Sequence, residues 1–328
     1  MDETTSTLIE VNRLCKDYSS GRGNRIRAIN DVSFSISKGE VLGVVGESGC
    51  GKSTLGRSML RLVEPTSGEV WFERRNLTEL SRADMKALRQ DMQIIFQDPF
   101  GSLNPRHRVA TLLSEPLKVH GIGDSSSQKY RVEELLGMVG LPANSARRFP
   151  HEFSGGQRQR IAIARALASN PRFLIADEAV SALDVSIQSQ IINLLSHLQK
   201  LLGITMLFIS HDLSVIRHVS DRIAVMYLGK IVELGLTDDV LRKPQHPYTK
   251  ALISAVPHPT HVKEQRIILK GEMPDPANPP GGCAFNTRCP NLTEHVRPRC
   301  ISDVPELIHR QSSSTTPRSL ACHLFEAS

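Results

Sequence analysis

Along the first 240 residues, short apolar runs alternate with stretches whose apolar positions recur every three to four residues. Glu40-Val41-Leu42-Gly43-Val44-Val45, Gln93-Ile94-Ile95-Phe96, Phe173-Leu174-Ile175-Ala176 and Ile204 to Ile209 are runs of strand length. They are apolar on both faces, as buried parallel strands require. Between the last two, Ile187, Ile191, Leu194, Leu195, Leu198 and Leu202 form the stripe of an amphipathic helix, and Gly203 supplies its stop. Strands alternating with helices of this length predict the α/β class, a parallel sheet covered on both faces.

The pattern changes twice. From about Asp98 to residue 160 it turns polar and helical, with an exposed turn at Gly121 to Ser127, which predicts a helical insertion. After Gln245 it changes again. Pro274, Pro276, Pro279 and Pro280 with Gly281 and Gly282 are too many breakers for a helix or a central strand. Residues 1–244 therefore read as one main domain, and 245–328 as a loop-rich C-terminal extension without a large core of its own.

With 328 residues, 40 % hydrophobic and 23 % charged, the chain suits one sizeable domain plus an appendage. Its net charge of +6 is compatible with nucleic acid, anionic lipid or phosphorylated ligands. One Trp and four Tyr, with no basic run interleaved with stacking residues, argue against direct nucleic-acid binding. The longest apolar stretch, Ile204 to Ile209, falls far short of the ~18 residues of a spanning helix. The polar start Met1-Asp2-Glu3-Thr4 does not read as a secretory signal, so the expectation is a cytosolic chain that reaches a membrane only through partners.

Chemistry enters at Gly46-Glu47-Ser48-Gly49-Cys50-Gly51-Lys52-Ser53, followed by Thr54, which fits G-x-x-x-x-G-K-[ST] between a strand and a helical run. Glycines let backbone N–H groups curl around phosphate oxygens, and the helix N-terminus favours their charge. Lys52 suits the β- and γ-phosphates, and the Ser53 hydroxyl suits Mg²⁺. The strand Phe173 to Ala176 ends in Asp177 and Glu178. Beside a phosphate loop, the first carboxylate would hold Mg²⁺ and the second would polarise the attacking water. Ser154-Gly155-Gly156-Gln157, 20 residues before Asp177, opens a helical run and offers a second phosphate-binding surface.

A chain with these three elements resembles the ABC ATPases, in which the second surface caps ATP held by the opposite subunit. The resemblance implies a P-loop (RecA-like) parallel-sheet core with an antiparallel β subdomain, the helical insertion and the extension. It also implies roles for single residues: Tyr18 stacking on adenine, Gln97 as the Q-loop glutamine and Mg²⁺ ligand, Ser181-Ala182-Leu183-Asp184 as the D-loop, and His211 as the switch histidine at the γ-phosphate. Ala179 stands where many members have proline, which removes no reacting group. Cys50 reads as a small residue tolerated in the loop. Arg158 and Arg160 read as structural, paired with carboxylates.

Asp98-Pro99-Phe100-Gly101-Ser102-Leu103-Asn104-Pro105-Arg106, Pro150-His151-Glu152-Phe153, His246-Pro247-Tyr248-Thr249 and Gly282-Cys283-Ala284-Phe285-Asn286-Thr287-Arg288-Cys289 narrow the resemblance. They resemble the ATPases of dipeptide and oligopeptide importers, closest to the second, or F, component. The partners this implies are a sister ABC ATPase, two transmembrane permeases and an extracytoplasmic solute-binding protein, with the chain on the cytoplasmic face of the inner membrane. A soluble ABC ATPase acting on nucleic acid or ribosomes, or an exporter ATPase, is the alternative. Cys283, Cys289, Cys300 and Cys322 are separated by five, ten and 21 residues. In a reducing compartment such a cluster reads as metal ligands before disulfides. The resemblance favours a [4Fe–4S] cluster there, with zinc or unliganded cysteines as the other readings.

Overall fold

The computed structural model describes residues 6–20, 24–181, 183–256, 267–269, 271–310 and 318–325. The N-terminal tetrapeptide and Ala182 of the expected D-loop lie outside them. In chain order the elements begin β1 (Thr7–Ser20), β2 (Asn24–Ser37), β3 (Val41–Val45), α1 (Lys52–Met59), β4 (Ser67–Phe72), β5 (Arg75–Asn76) and α2 (Arg82–Leu88). There follow β6 (Met92–Ile95), α3 (Pro99–Ser102), α4 (Val109–Val119), α5 (Ser125–Met138), α6 (Gly155–Ala166), β7 (Phe173–Asp177), α7 (Val185–Leu202) and β8 (Thr205–Ile209). The chain continues through α8 (Leu213–Val219), β9 (Arg222–Tyr227), β10 (Lys230–Leu236), α9 (Thr237–Arg242) and α10 (Pro247–Ser254) to α11 (Arg297–Ser302), β11 (Ile308–Arg310) and β12 (Arg318–Leu320).

These elements fall into two compact units. One is built from Met1–Leu8, Ile36–Val41 and Phe72–Ile209. Its strands β6, β7 and β8 run parallel, with Ile94 opposite Ile175 and Ile175 opposite Leu207. Every residue of β7 and β8 is buried, which is why both read as unbroken apolar runs. The stripe predicted from Ile187 to Leu202 is α7, begun two residues earlier at Val185 and capped by Gly203. Asp98 to residue 160 carries α3, α4, α5 and the start of α6, with α4 packed on both α5 and α6. Arg160 donates to the Val139 carbonyl at 2.7 Å and to Gln190, where the sequence reading expects a carboxylate.

The other unit is built from Ile9–Ser35, Leu42–Trp71 and Ser210–Ser328. Here β2, β1 and β4 lie side by side. β3 runs parallel to β9, then β9, β10, β12 and β11 continue antiparallel in that order. The extension is therefore more regular than its prolines suggest. β12 pairs with β10 at Glu233–Leu320 and Leu234–Ser319. Glu233 is fully buried, yet its carboxylate accepts from the amides of Gln245 (2.9 Å) and His246 (3.1 Å) and from the Arg318 guanidinium. Such satisfaction is what a buried charge requires.

Among the described residues no helix is long and apolar enough to cross a membrane.

Candidate functional site

The loop after β3 is shaped by two close approaches. A Cβ on Gly46 would sit 2.2 Å from the Met226 carbonyl oxygen, and one on Gly51 would sit 2.1 Å from that of Ala28. Gly51 also takes φ 104°, which only glycine adopts freely. The loop then opens α1, whose first residue is Lys52. Lys52 is 4 % exposed, and its ammonium donates to the carbonyls of Gly46 (2.9 Å) and Glu47 (3.0 Å). The loop's own oxygens thus hold the cation that phosphate would receive. Cys50 is buried, and burial raises its thiol pKa. Ser48 and Gly49 are exposed; Glu47, Ser53 and Thr54 are half-buried. In the same unit Tyr18 is exposed near the end of β1, with the Lys16 ammonium 5.0 Å from its ring centroid. His211 is exposed directly after buried Ser210.

The other unit carries the carboxylates. Asp177 ends β7 fully buried. Glu178 follows at φ 47°, a conformation that side chains other than glycine's adopt rarely and at some cost. The turn is held from both sides: the Glu178 amide donates to the Ile209 carbonyl (3.0 Å), and Ser181 donates twice to the Glu178 carbonyl. Gln97, just past β6, donates from Nε2 to Glu178 Oε2 at 2.9 Å, so these two predicted residues do meet. Ala179, next in the chain, is buried.

At Ser154–Gln157 the helix α6 begins with a reciprocal cap. Ser154 Oγ accepts from the Gln157 amide (3.4 Å), and Gln157 Oε1 accepts from the Ser154 amide (3.1 Å). Both side chains face solvent, Gly155 is half-buried and Gly156 is buried. Asp184, also exposed, precedes α7.

Residues 29–181 match the family model described as ABC transporter, and residues 232–295 match the model described as oligopeptide/dipeptide transporter, C-terminal region. The oligopeptide transport ATP-binding protein AppF of Bacillus subtilis is 52 % identical over 92 % of this chain and 90 % of its own length. The chain belongs to the ABC transporter ATPases. A putative peptide import ATP-binding protein of Brucella ovis is 50 % identical over 93 % of the chain and 95 % of its own. Among solved structures, a dimer of the ATP-binding cassette MJ0796 in a post-hydrolysis state with ADP and phosphate has 31 % identity and a TM-score of 0.64. It covers 70 % of this chain and 99 % of its own. The α/β class read from the strand pattern, with the P-loop core that the resemblance implies, is therefore this ATPase's fold, and its reaction is hydrolysis of ATP taken with Mg²⁺. The family also ties it to a membrane through permease subunits.

The iron–sulfur expectation is overturned. Cys283, Cys289, Cys300 and Cys322 do line one cavity, but its volume is about 10 Å³. That is room for about one water and none for a cuboidal cluster. Among the described residues no group of three or more His, Cys, Asp or Glu is placed to hold a metal ion. Burial pushes the thiols up, Cys283 to about 11 and Cys322 to about 12. The matched families are described as transporters. Packing and hydrogen bonds organise this part of the ATPase instead. Phe285 meets the rings of Tyr227, Tyr248 and His246 at centroid distances of 5.2, 5.5 and 5.8 Å. The Cys283 amide donates to the Cys300 carbonyl, and Asn286 Nδ2 donates to the carbonyls of Gly281 and Cys300.

Within that cluster His246 is buried, its Nδ1 accepting from the Tyr248 amide (3.1 Å). Burial lowers its pKa to about 3 from 6.5. The unfolded chain therefore takes up the proton first, and stability is lost as pH falls from 6.5 towards 3. The expected slope is about 1.4 kcal/mol per pH unit in that window. Thermal melts between about pH 7 and 5 should show it, and His246→Asn, which keeps an acceptor without titrating, should flatten it.

Sequence reasoning missed two side chains that touch the phosphate loop, Tyr248 and Arg288. Both lie inside motifs read only as family marks, and neither type signals a loop contact on its own.

Proposed function

We propose that this ATPase powers peptide uptake across the inner membrane, bound peripherally to its cytoplasmic face. It pairs with a sister ABC ATPase on two permease subunits, and an extracytoplasmic solute-binding protein delivers the cargo. What carries the reading is one chain holding both a phosphate loop and, at residues 232–295, the oligopeptide/dipeptide C-terminal region. The named relatives, about half identical over nine-tenths of the chain, are an oligopeptide transport ATP-binding protein and a putative peptide import ATP-binding protein. Residues 1–244 form the nucleotide-binding domain, with its helical insertion at about 98–160, and 245–328 the appended extension.

Each ATP lies between Gly46–Thr54 of one subunit and Ser154–Gln157 of the other, with Tyr18 against the adenine. Lys52 leaves the carbonyls of Gly46 and Glu47 for the β- and γ-phosphates, exchanging two neutral acceptors for charged ones. Ser53, Gln97 and Asp177 offer a hydroxyl, an amide oxygen and a carboxylate, the hard oxygen donors that suit Mg²⁺. The bound ion neutralises charge on the phosphates. Glu178 orients the attacking water and accepts its proton, His211 contacts the γ-phosphate, and Asp184 belongs to the D-loop that meets the partner. Gln97, hydrogen-bonded to Glu178, links this chemistry to the insertion that faces the permeases.

The test is purification of the tagged chain from native membranes, joined to peptide uptake in cells. Permeases and a second ATPase should copurify, and Lys52→Ala should abolish uptake. Recovery with ribosomes or nucleic acid, or uptake that survives Lys52→Ala, would overturn the reading.

A further inference from the structure

Glu47, the second residue of the phosphate loop, is a carboxylate in a loop that must accept a polyphosphate anion. Unscreened, its charge opposes that task. All three of its polar groups are engaged. Its carbonyl accepts from Lys52, its amide donates to the Tyr248 hydroxyl at 2.9 Å, and its Oε2 accepts from the Arg288 guanidinium at 2.9 Å. Arg288 comes from the turn after Phe285 and lies 241 positions further along the chain. Its side chain is 9 % exposed, and it also donates to the Tyr227 hydroxyl at 3.4 Å. Tyr227, Tyr248 and Phe285 pack on one another, so both groups that hold Glu47 stand on one aromatic platform. Met273, in the proline-rich stretch, comes within 3.5 Å of where a Cβ on Gly49 would sit.

We propose that Arg288 is a positioning residue for ATP binding: it neutralises and orients Glu47, and through it the C-terminal extension holds the phosphate loop in its nucleotide-accepting form. This rests on the reading of Gly46–Thr54 as the ATP loop. Its effect on the loop passes through Glu47. Removing it leaves an uncompensated carboxylate in the loop and frees the Glu47 side chain to turn towards the phosphates. The extension thereby sets the affinity of a loop far from it in sequence.

The experiment titrates Mg-ATP against the full-length chain and follows ATP hydrolysis in parallel. Arg288→Met should weaken ATP binding about tenfold, with kcat at saturating ATP within about twofold of native. Arg288→Lys, which keeps the charge but not the fork, should lose only about threefold. Glu47→Gln should weaken binding a few-fold, and Glu47→Gln/Arg288→Met should bind no worse than Glu47→Gln alone. Native affinity in Arg288→Met, loss confined to kcat, or full additivity in the double variant would overturn the proposal. If Arg288→Met does not fold, Glu47→Gln decides: tighter ATP binding would mean that the carboxylate only repels phosphate, and the proposal falls. Lys52→Ala separates the two levels. If it binds ATP as the native chain does, the loop reading fails and takes the proposal with it. If it loses binding while Arg288→Met keeps it, the proposal alone is wrong.

Discussion

Glu178→Gln should reduce ATP hydrolysis by roughly 10²–10⁴-fold, the range over which a positioned general base contributes. Glutamine keeps the shape of the side chain and can still accept from Gln97 Nε2, now 2.9 Å from Glu178 Oε2. What it loses is the negative charge that, in the proposed role, draws a proton from the attacking water. ATP affinity should therefore stay near native, because Lys52 and the loop amides are untouched. On the proposed composite site, which opens after turnover, a subunit that binds but does not hydrolyse should accumulate the closed pair. Phosphate release measures the first effect, and size-exclusion chromatography in Mg-ATP the second. Hydrolysis within a few-fold of native would remove Glu178 from the chemistry.

The second large effect concerns stability. Arg318→Met should cost about 3–5 kcal/mol, the usual penalty for removing one partner of a buried ion pair. Glu233 would be left charged at 0 % exposure, with only the Gln245 and His246 amides as donors. Arg318 also donates to the Lys243 carbonyl at 2.7 Å, so the loop before α10 loses a tie as well. Glu233→Gln/Arg318→Met should recover part of the loss, because no buried charge then remains unpaired. Urea unfolding followed by circular dichroism gives the magnitudes. A loss below about 1 kcal/mol would place the pair among exposed bridges, which contribute little.

The parts of the molecule that are legible in the sequence are those whose cause is local. The strand Val41–Val45, the glycine loop and Lys52 are consecutive, and each residue type follows from the turn or the phosphate it serves. β7 and its two terminal carboxylates are legible for the same reason, as is α7 with its apolar stripe and glycine stop. The reciprocal cap at Ser154 and Gln157 is a three-residue spacing that any helix start can show. The tail is illegible because its causes are distant. Clustered cysteines suggest a metal, whereas the segment is held by Phe285 against Tyr227 and Tyr248, and by Arg318 reaching back to Glu233. Nothing near Phe285 in the sequence announces those neighbours. Glu233 looks like the polar member of an ordinary alternating strand until the fold buries it.

The pairing of β12 with β10 also bears on how the chain comes to be folded. Glu233 and Arg318 are separated by 85 positions, so β10 is synthesised long before the strand that covers its flank. Until then its outer row of N–H and C=O groups is an open edge, a template for any passing strand. Closing so long a loop is also slow compared with local pairing. A chain cut before Arg318 would keep the phosphate loop, both carboxylates and the signature helix, yet carry that edge permanently exposed. Its characteristic failure would be aggregation during expression, well before any defect in catalysis could be measured.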